Sequence, residues 1–260
     1  MPITIKSERE IELMTEAGRI LGIVHKELEK ALKPGMSTLD IDALGEEVIR
    51  SYGCEPSFLN YNGYPASICV SVNDEIVHGI PSAKHLIKEG DIVSLDAGVI
   101  YHSDAARTHA VGEIRPDLQK LIDVTRESFF EGIKFAKEGN HLYDISRAIG
   151  DYAESFGYGV VRELCGHGIG TSLHESPEIP NFQMRRRGPK LKAGMTLAIE
   201  PMVNLGTERI RWMSDNWTVV TADRKESAHY ENTILITKDE PKILSIADGN
   251  VKQNRGTEKG

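Results

Sequence analysis

One pattern occurs twice in this chain, at a constant offset of 104 positions. The two matched pairs of segments are KPGMSTLDI at 33–41 with KEGNHLYDI at 137–145, and KEGDIVSLD at 88–96 with KAGMTLAIE at 192–200. Self-similarity at a fixed spacing is typical of duplicated structural units. The repeat therefore predicts one domain over residues 1–250, built from two related halves at about 1–115 and 116–250.

The repeat also matches one carboxylate with another. Asp96 ends the second segment of the first half, and Glu200 ends its counterpart. If a pseudo-two-fold axis relates the halves, these two acids face each other across it. Few residues are identical between the copies, so chance similarity is the competing interpretation.

Apolar spacing and capping signals predict four helices. Ser7 with Glu10 forms a capping-box pattern, and glycine suits the left-handed residue after a helix end. The predicted helices span about 8–31, 37–53, 116–139 and 142–156. Alternating polar and apolar residues predict strands at 68–72, 91–100, 108–111, 159–164, 195–199, 217–221 and 233–236. We expect an α+β fold in which two pairs of helices cover one face of a curved antiparallel sheet, leaving a cleft on the other.

Bulk properties exclude several classes of function. A net charge of −8 argues against nucleic-acid specificity, and we interpret the basic run at 185–190 as a solvated loop rather than a site for an acidic partner. Three cysteines without a C-x-x-C pair indicate a reducing cytoplasm. No apolar run approaches the roughly 20 residues that span a bilayer. The polar segment 251–260 is expected to be a flexible tail.

The residues that carry chemistry are acids and one histidine at strand positions. Alternation places Asp96 on the opposite face from Val93 and Leu95, and small neighbours leave room beside Glu200. Three more candidates share this setting: Asp104, His167 within CGHGIG, and Glu231.

If these four carboxylates converge, their repulsion must be neutralised. Like charges about 4 Å apart repel by roughly 4 kcal/mol at an effective dielectric near 20. Two divalent cations balance four carboxylates and lower the pKa of a bridging water, which becomes a hydroxide nucleophile. Oxygen-rich ligation with one imidazole favours Mn, Fe or Co, with Zn as the alternative.

Seven motifs together resemble type I methionine aminopeptidases of the M24 metallopeptidase family, over roughly residues 3–240. They are NDEIVHGIP at 73–81, LDAG at 95–98, SDAART at 103–108, CGHGIG at 165–170, HESP at 174–177, IEPM at 199–202 and ENT at 231–233. The resemblance implies the duplicated pita-bread fold. It also implies removal of the initiator methionine from peptides and nascent chains whose second residue is small.

The resemblance assigns roles to individual residues. Asp96 would chelate one metal, Asp104 and Glu231 would bridge both, and His167 and Glu200 would complete the other. His174 would contact the scissile carbonyl, His78 would lie near the scissile nitrogen, and Glu200 would also accept a proton from the water. A methionine pocket is implied at Phe58, Tyr61, Tyr64, Cys69, Leu173 and Trp217, where the alternative is ordinary core and loop residues.

The chain departs from the family pattern at one hairpin. Seven residues separate Asp96 from Asp104, about three fewer than is usual in the family. A slip of one residue in this hairpin would turn Asp104 away from the cleft.

Three other functions compete with this interpretation. A proline-specific peptidase of the same fold uses similar ligands, and a metal-free binding protein would keep the architecture alone. A cysteine hydrolase using Cys165 and His167 lacks a third group to orient the pair. For the aminopeptidase we expect a monomer with peptide substrates, no membrane contact and transient association with the ribosome.

Overall fold

The two copies of the sequence repeat fold alike in the computed structural model, which describes residues 2–247. Helix α2 spans Thr38–Ser51 and helix α4 spans Leu142–Ser155, so both are 14 residues long and their bounds keep the offset of the repeat. Each begins with an aspartate in its first turn, Asp40 or Asp144, that accepts a backbone N–H at the helix start. The predicted tail at 251–260 lies outside the described residues.

The turn before each of these helices is duplicated as well. Gly35 and Gly139 have φ of 90° and 93°, a left-handed conformation that favours glycine. The Gly35 N–H donates to Ile87 O at 2.8 Å, and the Gly139 N–H donates to Leu191 O at 3.0 Å. These acceptors keep the same offset, so the repeat extends from sequence to hydrogen bonds. The domain boundaries stay predictions.

The remaining helices are α1, Glu8–Ala31, and α3, Pro116–Ile133. The bounds of α1 agree with the prediction, whereas the predicted end of α3 near Gly139 is wrong by six residues. After Ile133 the N–H groups of Phe135 and Ala136 close short turns, and Lys137 then forms a bridge with Thr237. This pairing with a distant segment of the same half keeps residues 134–137 out of the helix.

Fourteen short strands among the described residues form four antiparallel sheets. The strands are β1 Ile68–Val72, β2 Glu75–Val77, β3 Ile92–Val99, β4 Ser103–Ala110, β5 Gly159–Val160, β6 Gly166–Gly168, β7 Glu175–Ile179, β8 Thr196–Ile199, β9 Met202–Asn204, β10 Ile210–Trp212, β11 Val219–Thr221, β12 Ser227–His229, β13 Asn232–Leu235 and β14 Lys242–Ile243. Their orders are β1-β3-β4, β10-β11-β2, β12-β9-β5 and β14-β13-β8-β6-β7. The predicted strand at 159–164 is shorter than expected, because the chain bends after Val161 donates to Met202 O.

Each half buries one face of its strands against its own helices. Val93 and Leu95 of β3 pack in one core with residues of α1 and α2. Leu197 and Ile199 of β8 pack in a second core with residues of α3 and α4. The alternation predicted from the sequence is therefore confirmed, and the opposite faces of β3 and β8 are left for the site. No helix within residues 2–247 is both long and apolar enough to cross a bilayer.

The last described residues pack on α1 through two glycines. A Cβ on Gly22 would lie 2.1 Å from the backbone nitrogen of Ala247, and one on Gly18 would lie 2.2 Å from Leu244 O. Real Cβ atoms do not approach backbone this closely. The segment 244–247 thus packs so closely against α1 that only glycine fits at positions 18 and 22 without a shift of the backbone.

We expect Gly22→Ala to lower the free energy of unfolding by about 2 kcal/mol, because overpacking against backbone outweighs the helix propensity of alanine. Gly45→Ala is the matched control, since its Cβ would meet only the Ile68 side chain, at 3.0 Å. Urea denaturation of both variants measures the difference. Equal stability of the two variants would contradict the packing described for residues 244–247.

Candidate active site

One cavity of about 420 Å³ gathers every residue that the sequence singled out for the site. Its lining consists of Phe58, Tyr61, Asn62, Tyr64, Cys69, His78, Asp96, Asp104, His167, Leu173, His174, Glu200, Trp217 and Glu231. Both halves contribute to it. Asn62 is the one lining residue that the sequence did not indicate.

The β3–β4 hairpin aims its two acids at this cavity. The strands pair Asp96 with Ala106 and Gly98 with Asp104, which places both carboxylates diagonally on one face. Only residues 100–102 form the turn, and His102 adopts a φ of 30° to close it. The shortened hairpin therefore keeps its register, and Asp104 does not turn away from the cleft.

The other ligand candidates come from the second half. Glu200 follows β8, Glu231 precedes β13, and His167 lies on β6 opposite Ala198. His167 Nε2 lies 3.7 Å from Glu200 Oε1 and 3.9 Å from Asp104 Oδ2. Potential ligand atoms of Asp104, His167 and Glu231 all lie within 4.8 Å of one another.

Backbone contacts between the halves set this spacing. The Glu231 N–H donates to Ala106 O at 2.9 Å. The Thr233 hydroxyl donates to Asp104 O at 3.0 Å and accepts the Asp104 N–H at 2.8 Å. Strands β4 and β13 are thus joined at the residues that carry the acids.

Burial dominates the electrostatics of the cluster. It raises the pKa of Asp96 to about 7 and that of Glu200 to about 8. Burial, and then the neighbouring carboxylates, raises the pKa of Asp104 and of Glu231 well above the ordinary range. Three carboxylate oxygens of this cluster are buried and have no hydrogen-bond partner within residues 2–247: Asp96 Oδ1, Asp104 Oδ1 and Glu231 Oε1. Convergent, unpartnered carboxylate oxygens fit a site for hard divalent cations.

His167 is prepared to act as a metal ligand. Its Nδ1 lies 2.9 Å from Gly168 O, which can only accept, so Nδ1 carries the hydrogen. The lone pair of Nε2 then faces the acids. Burial lowers the pKa of His167 to about 3, so the ring is neutral at pH 7.

Two further histidines border the same cavity. The His174 ring stacks on Tyr61, with centroids 5.3 Å apart, and its Nδ1 lies 2.9 Å from the Tyr61 hydroxyl oxygen. It also lies 4.1 Å from the His167 ring. His78 has a left-handed φ of 59°, which is unusual outside glycine and is found at functional positions. Burial lowers the pKa of His78 to about 4 and that of His174 below its ordinary value.

The rest of the cavity wall is apolar. Phe58, Tyr64, Cys69 and Leu173 are buried in one cluster, and Tyr61 and Trp217 pack against it. Tyr64 meets Trp217 edge-on at 5.1 Å, and its hydroxyl donates to Gly79 O at 2.9 Å. Burial raises the pKa of the Cys69 thiol well above its ordinary value, so Cys69 stays a neutral, soft surface.

Sequence reasoning missed His229 and Arg107. His229 is buried, its Nε2 lies 3.7 Å from Glu200 Oε2, and neither ring nitrogen has a hydrogen-bond partner among the described residues. Arg107 donates to Glu231 O and to Asn232 Oδ1, which supports the chain that carries Glu231. The sequence does place His229 two residues before Glu231. In an extended chain, side chains two positions apart point to the same face, so this spacing could have indicated His229.

A buried ion pair holds the turn that presents His174. Lys6 Nζ lies 2.6 Å from Glu175 Oε2, and the two side chains are only 5% and 6% exposed. The other carboxylate oxygen, Oε1, accepts the Ser172 N–H at 3.2 Å. The N-terminal segment therefore fixes the residue that follows His174.

We expect Lys6→Met to lower the free energy of unfolding by about 3 kcal/mol, because it leaves the Glu175 charge buried without its partner. Lys6→Met combined with Glu175→Gln should recover part of this loss. Lys30→Met is the control, since its pair with Glu27 is exposed and is worth less than about 1 kcal/mol. Urea denaturation measures all three, and equal effects at Lys6 and Lys30 would contradict the assignment.

The stability of the metal-free protein should fall as pH rises from about 6.5 to about 8.5. The folded state keeps protons on Asp96 and Glu200, with pKa values of about 7 and about 8, that the unfolded chain has already released. The free energy of unfolding then declines by up to about 1.4 kcal/mol per pH unit for each such proton. Histidines whose pKa is lowered by folding reduce the free energy of unfolding only below about pH 6.5, which lies outside this window.

Urea denaturation after chelation, at three pH values across that window, tests this decline. Restoring a divalent metal should flatten it, because the cation replaces the protons. A chelated protein whose stability is constant or rises over the window would contradict the raised pKa values.

Known proteins resemble this chain over nearly its whole length. The sequence profile of "Metallopeptidase family M24" matches residues 12–238. "Methionine aminopeptidase" of Clostridium acetobutylicum is 53% identical over 249 residues, covering 95% of this chain and 100% of that protein. "Methionine aminopeptidase 1" of Bacillus subtilis is 50% identical, covering 94% and 99%.

Solved structures agree in fold. The methionine aminopeptidase of Thermotoga maritima has a TM-score of 0.92 and 43% identity, covering 94% of this chain and 100% of that one. The Xaa-Pro dipeptidase of Bacillus anthracis has a TM-score of 0.76 and 25% identity, covering 95% of this chain and 63% of that one. These matches confirm the resemblance inferred from the motifs and the pita-bread fold that it implied.

Proposed function

Because this chain belongs to metallopeptidase family M24 and, within it, to the methionine aminopeptidases, we propose that it hydrolyses the peptide bond after an amino-terminal methionine. The observation that carries this proposal is one cavity in which a cluster of acids borders an apolar pocket. The acids and His167 offer a place for metal-assisted attack, and the pocket offers a place for one unbranched apolar side chain.

We assign the ligands of two divalent ions as follows. Asp96 would hold one ion, His167 and Glu200 would hold the other, and Asp104 and Glu231 would contribute carboxylate oxygens to both. When bound, the ions neutralise the carboxylates and lower the pKa of a water molecule toward neutrality. The donor set, oxygen-rich with one imidazole, favours Mn, Fe or Co over Zn.

The side chains of this protein then position the substrate and move its protons. Glu200 accepts the proton of the attacking water on a carboxylate oxygen. His174 Nδ1 lies 2.9 Å from the Tyr61 hydroxyl oxygen. We assign the tautomer in which the Tyr61 hydroxyl donates to Nδ1, so that Nε2 bears the hydrogen and donates to the scissile carbonyl oxygen. His78, neutral because burial lowers its pKa to about 4, lies near the leaving nitrogen and orients it by hydrogen bonding.

The pocket accounts for the choice of methionine. Cys69 and the rings of Tyr64 and Trp217 form an apolar wall, and S···aromatic contacts favour a thioether. A charged side chain such as lysine would lose its hydration there without a partner. Preference for a small second residue, transient ribosome association, a monomeric state and a cytoplasmic location stay predictions.

Three alternatives are less well supported. Identity to the proline-specific structure is 25%, against 53% for the methionine aminopeptidase of C. acetobutylicum. A binding protein without metal would not need buried carboxylate oxygens that lack partners. The cysteine hydrolase is disfavoured because burial raises the pKa of Cys165 to about 11, which keeps it a thiol.

Release of free methionine tests the proposal. The substrate is Met-Ala-Ser, with Lys-Ala-Ser as the control, and the protein is assayed as purified, after chelation, and after adding back Mn, Fe, Co or Zn. We expect cleavage of Met-Ala-Ser alone, lost on chelation and restored by metal. No release under any metal supports the binding protein, and cleavage of X-Pro peptides supports the prolidase.

Glu200→Gln should lower kcat by at least about 100-fold, because the amide cannot accept the proton of the water. Glu163→Gln, an exposed change of the same kind, should leave kcat unchanged. Circular dichroism checks that both variants fold. Full activity of Glu200→Gln would contradict the role assigned to this residue.

A further inference from the structure

A second cavity, of about 470 Å³, lies between α1 and α3. Its lining includes His25 of α1, Arg126 of α3, and Arg107 and His109 of β4. Arg107 and His109 alternate with Asp104 along β4, so they point to the other face of the strand from the metal ligands. This cavity has a different lining from the proposed active site and lies behind it, with His229 and Arg107 between the two, and the proposed function binds no substrate there.

Two guanidinium groups in this cavity have no carboxylate partner. Neither Arg107 nor Arg126 forms an ion pair within the part of the chain that the structure describes. Arg107 is half-buried and donates to uncharged oxygens only, those of Ala106, Glu231 and Asn232. A partly buried cation without a direct carboxylate partner attracts anions, because the low dielectric screens its charge poorly.

Each of these guanidinium groups packs against an aromatic ring, and the two rings are neighbours. Arg107 Cζ lies 4.4 Å from the Tyr230 ring centroid, and Arg126 Cζ lies 5.5 Å from the Phe130 centroid. The two rings are 6.0 Å apart. Cation–π contact fixes the plane of a guanidinium through its face and leaves N–H donors on its edges available to a planar or tetrahedral oxyanion. Both arginines are thus oriented without an acid.

Two imidazoles line the same cavity, and each has one ring nitrogen without a hydrogen-bond partner among the described residues; Nδ1 of the neutral His25 ring is an acceptor, so only His109 can offer a further donor. His25 Nε2 lies 2.9 Å from Ala105 O, while its Nδ1 is buried without a partner. His109 Nε2 is also buried without a partner. Burial, and then the charge of Arg107, lowers the pKa of His25. Burial lowers the pKa of His109 to about 4, and Arg107 contributes to that shift.

The one acid in the lining does not cancel this charge. Glu29 Oε1 lies 3.9 Å from His109 Nδ1, and the Glu29 side chain is 64% exposed. An exposed carboxylate is screened by water and compensates a partly buried cation weakly. Lys26, Arg107 and Arg126 thus outnumber the one acid of the lining, although the whole chain carries −8.

We propose that this cavity binds a small multivalent oxyanion, of the phosphate or polycarboxylate class, through Arg107 and Arg126. The edges of both guanidinium groups donate to the anion, and the His109 side chain lines the same cavity. The site is recessed between two helices and ends against residues 245–247, which suits a free small anion rather than a polymer backbone. The proposal goes beyond the peptidase activity and does not depend on it.

Calorimetric titration of the metal-loaded protein with inorganic phosphate, and separately with citrate, tests this site. Chloride keeps the ionic strength constant in every arm. We expect saturable binding of one anion per chain. Arg126→Gln should weaken it about tenfold or more, the loss of one charge-assisted hydrogen bond, and Arg126→Glu should abolish it. Arg185→Gln removes one positive charge from another exposed position and should leave the affinity unchanged.

Three results would overturn the proposal. The first is the absence of saturable binding of either anion. The second is an affinity that Arg126→Glu does not change. The third is binding that survives Arg126→Glu but disappears in metal-free protein or in Asp96→Asn, since the anion would then lie on the metal centre. Arg126 is exposed on α3, so its variants are expected to fold.

Discussion

Four carboxylates buried within a few ångströms of one another are the constraint around which this fold is organised. Each pair repels by roughly 4 kcal/mol at a separation near 4 Å and an effective dielectric near 20. Burial keeps their pKa values high and leaves three oxygens without partners. Such a cluster persists only if backbone contacts fix it and protons or cations neutralise it. The hydrogen bonds between β4 and β13 supply the first condition.

Duplication explains how one chain builds this site. Each half uses a helix pair to cover the outer face of its strands, and the inner faces are left to carry acids. Asp96 and Glu200 occupy equivalent positions of the repeat. The two catalytic histidine candidates do not, because His78 and His174 are 96 rather than 104 positions apart. In the proposed function, the symmetric frame would hold the metals, and the asymmetric loops would distinguish the two ends of the substrate.

Local signals in the sequence were sufficient for the helices and for the faces of the long strands. Capping residues mark the starts of α1, α2 and α4. In β3 and β8, the alternation of residues distinguishes side chains that face the core from those that face the cleft. The end of α3 was mispredicted because a bridge between Lys137 and Thr237, far apart in sequence, ends the helix. Lys6 and Glu175 are 169 positions apart, and no local pattern relates them. The family resemblance named the ligand candidates, but the contacts that support them, such as those of His229 and Arg107, required three-dimensional structure.

The most direct test is a crystal structure of the metal-loaded protein with anomalous scattering recorded at the absorption edge of the metal. Two anomalous peaks in the cavity, each contacted by side chains of Asp96, Asp104, His167, Glu200 or Glu231, are the predicted result. Metal bound only by surface residues, or acids of the two halves drawn apart in the crystal, would contradict the claim that both halves share one metal centre.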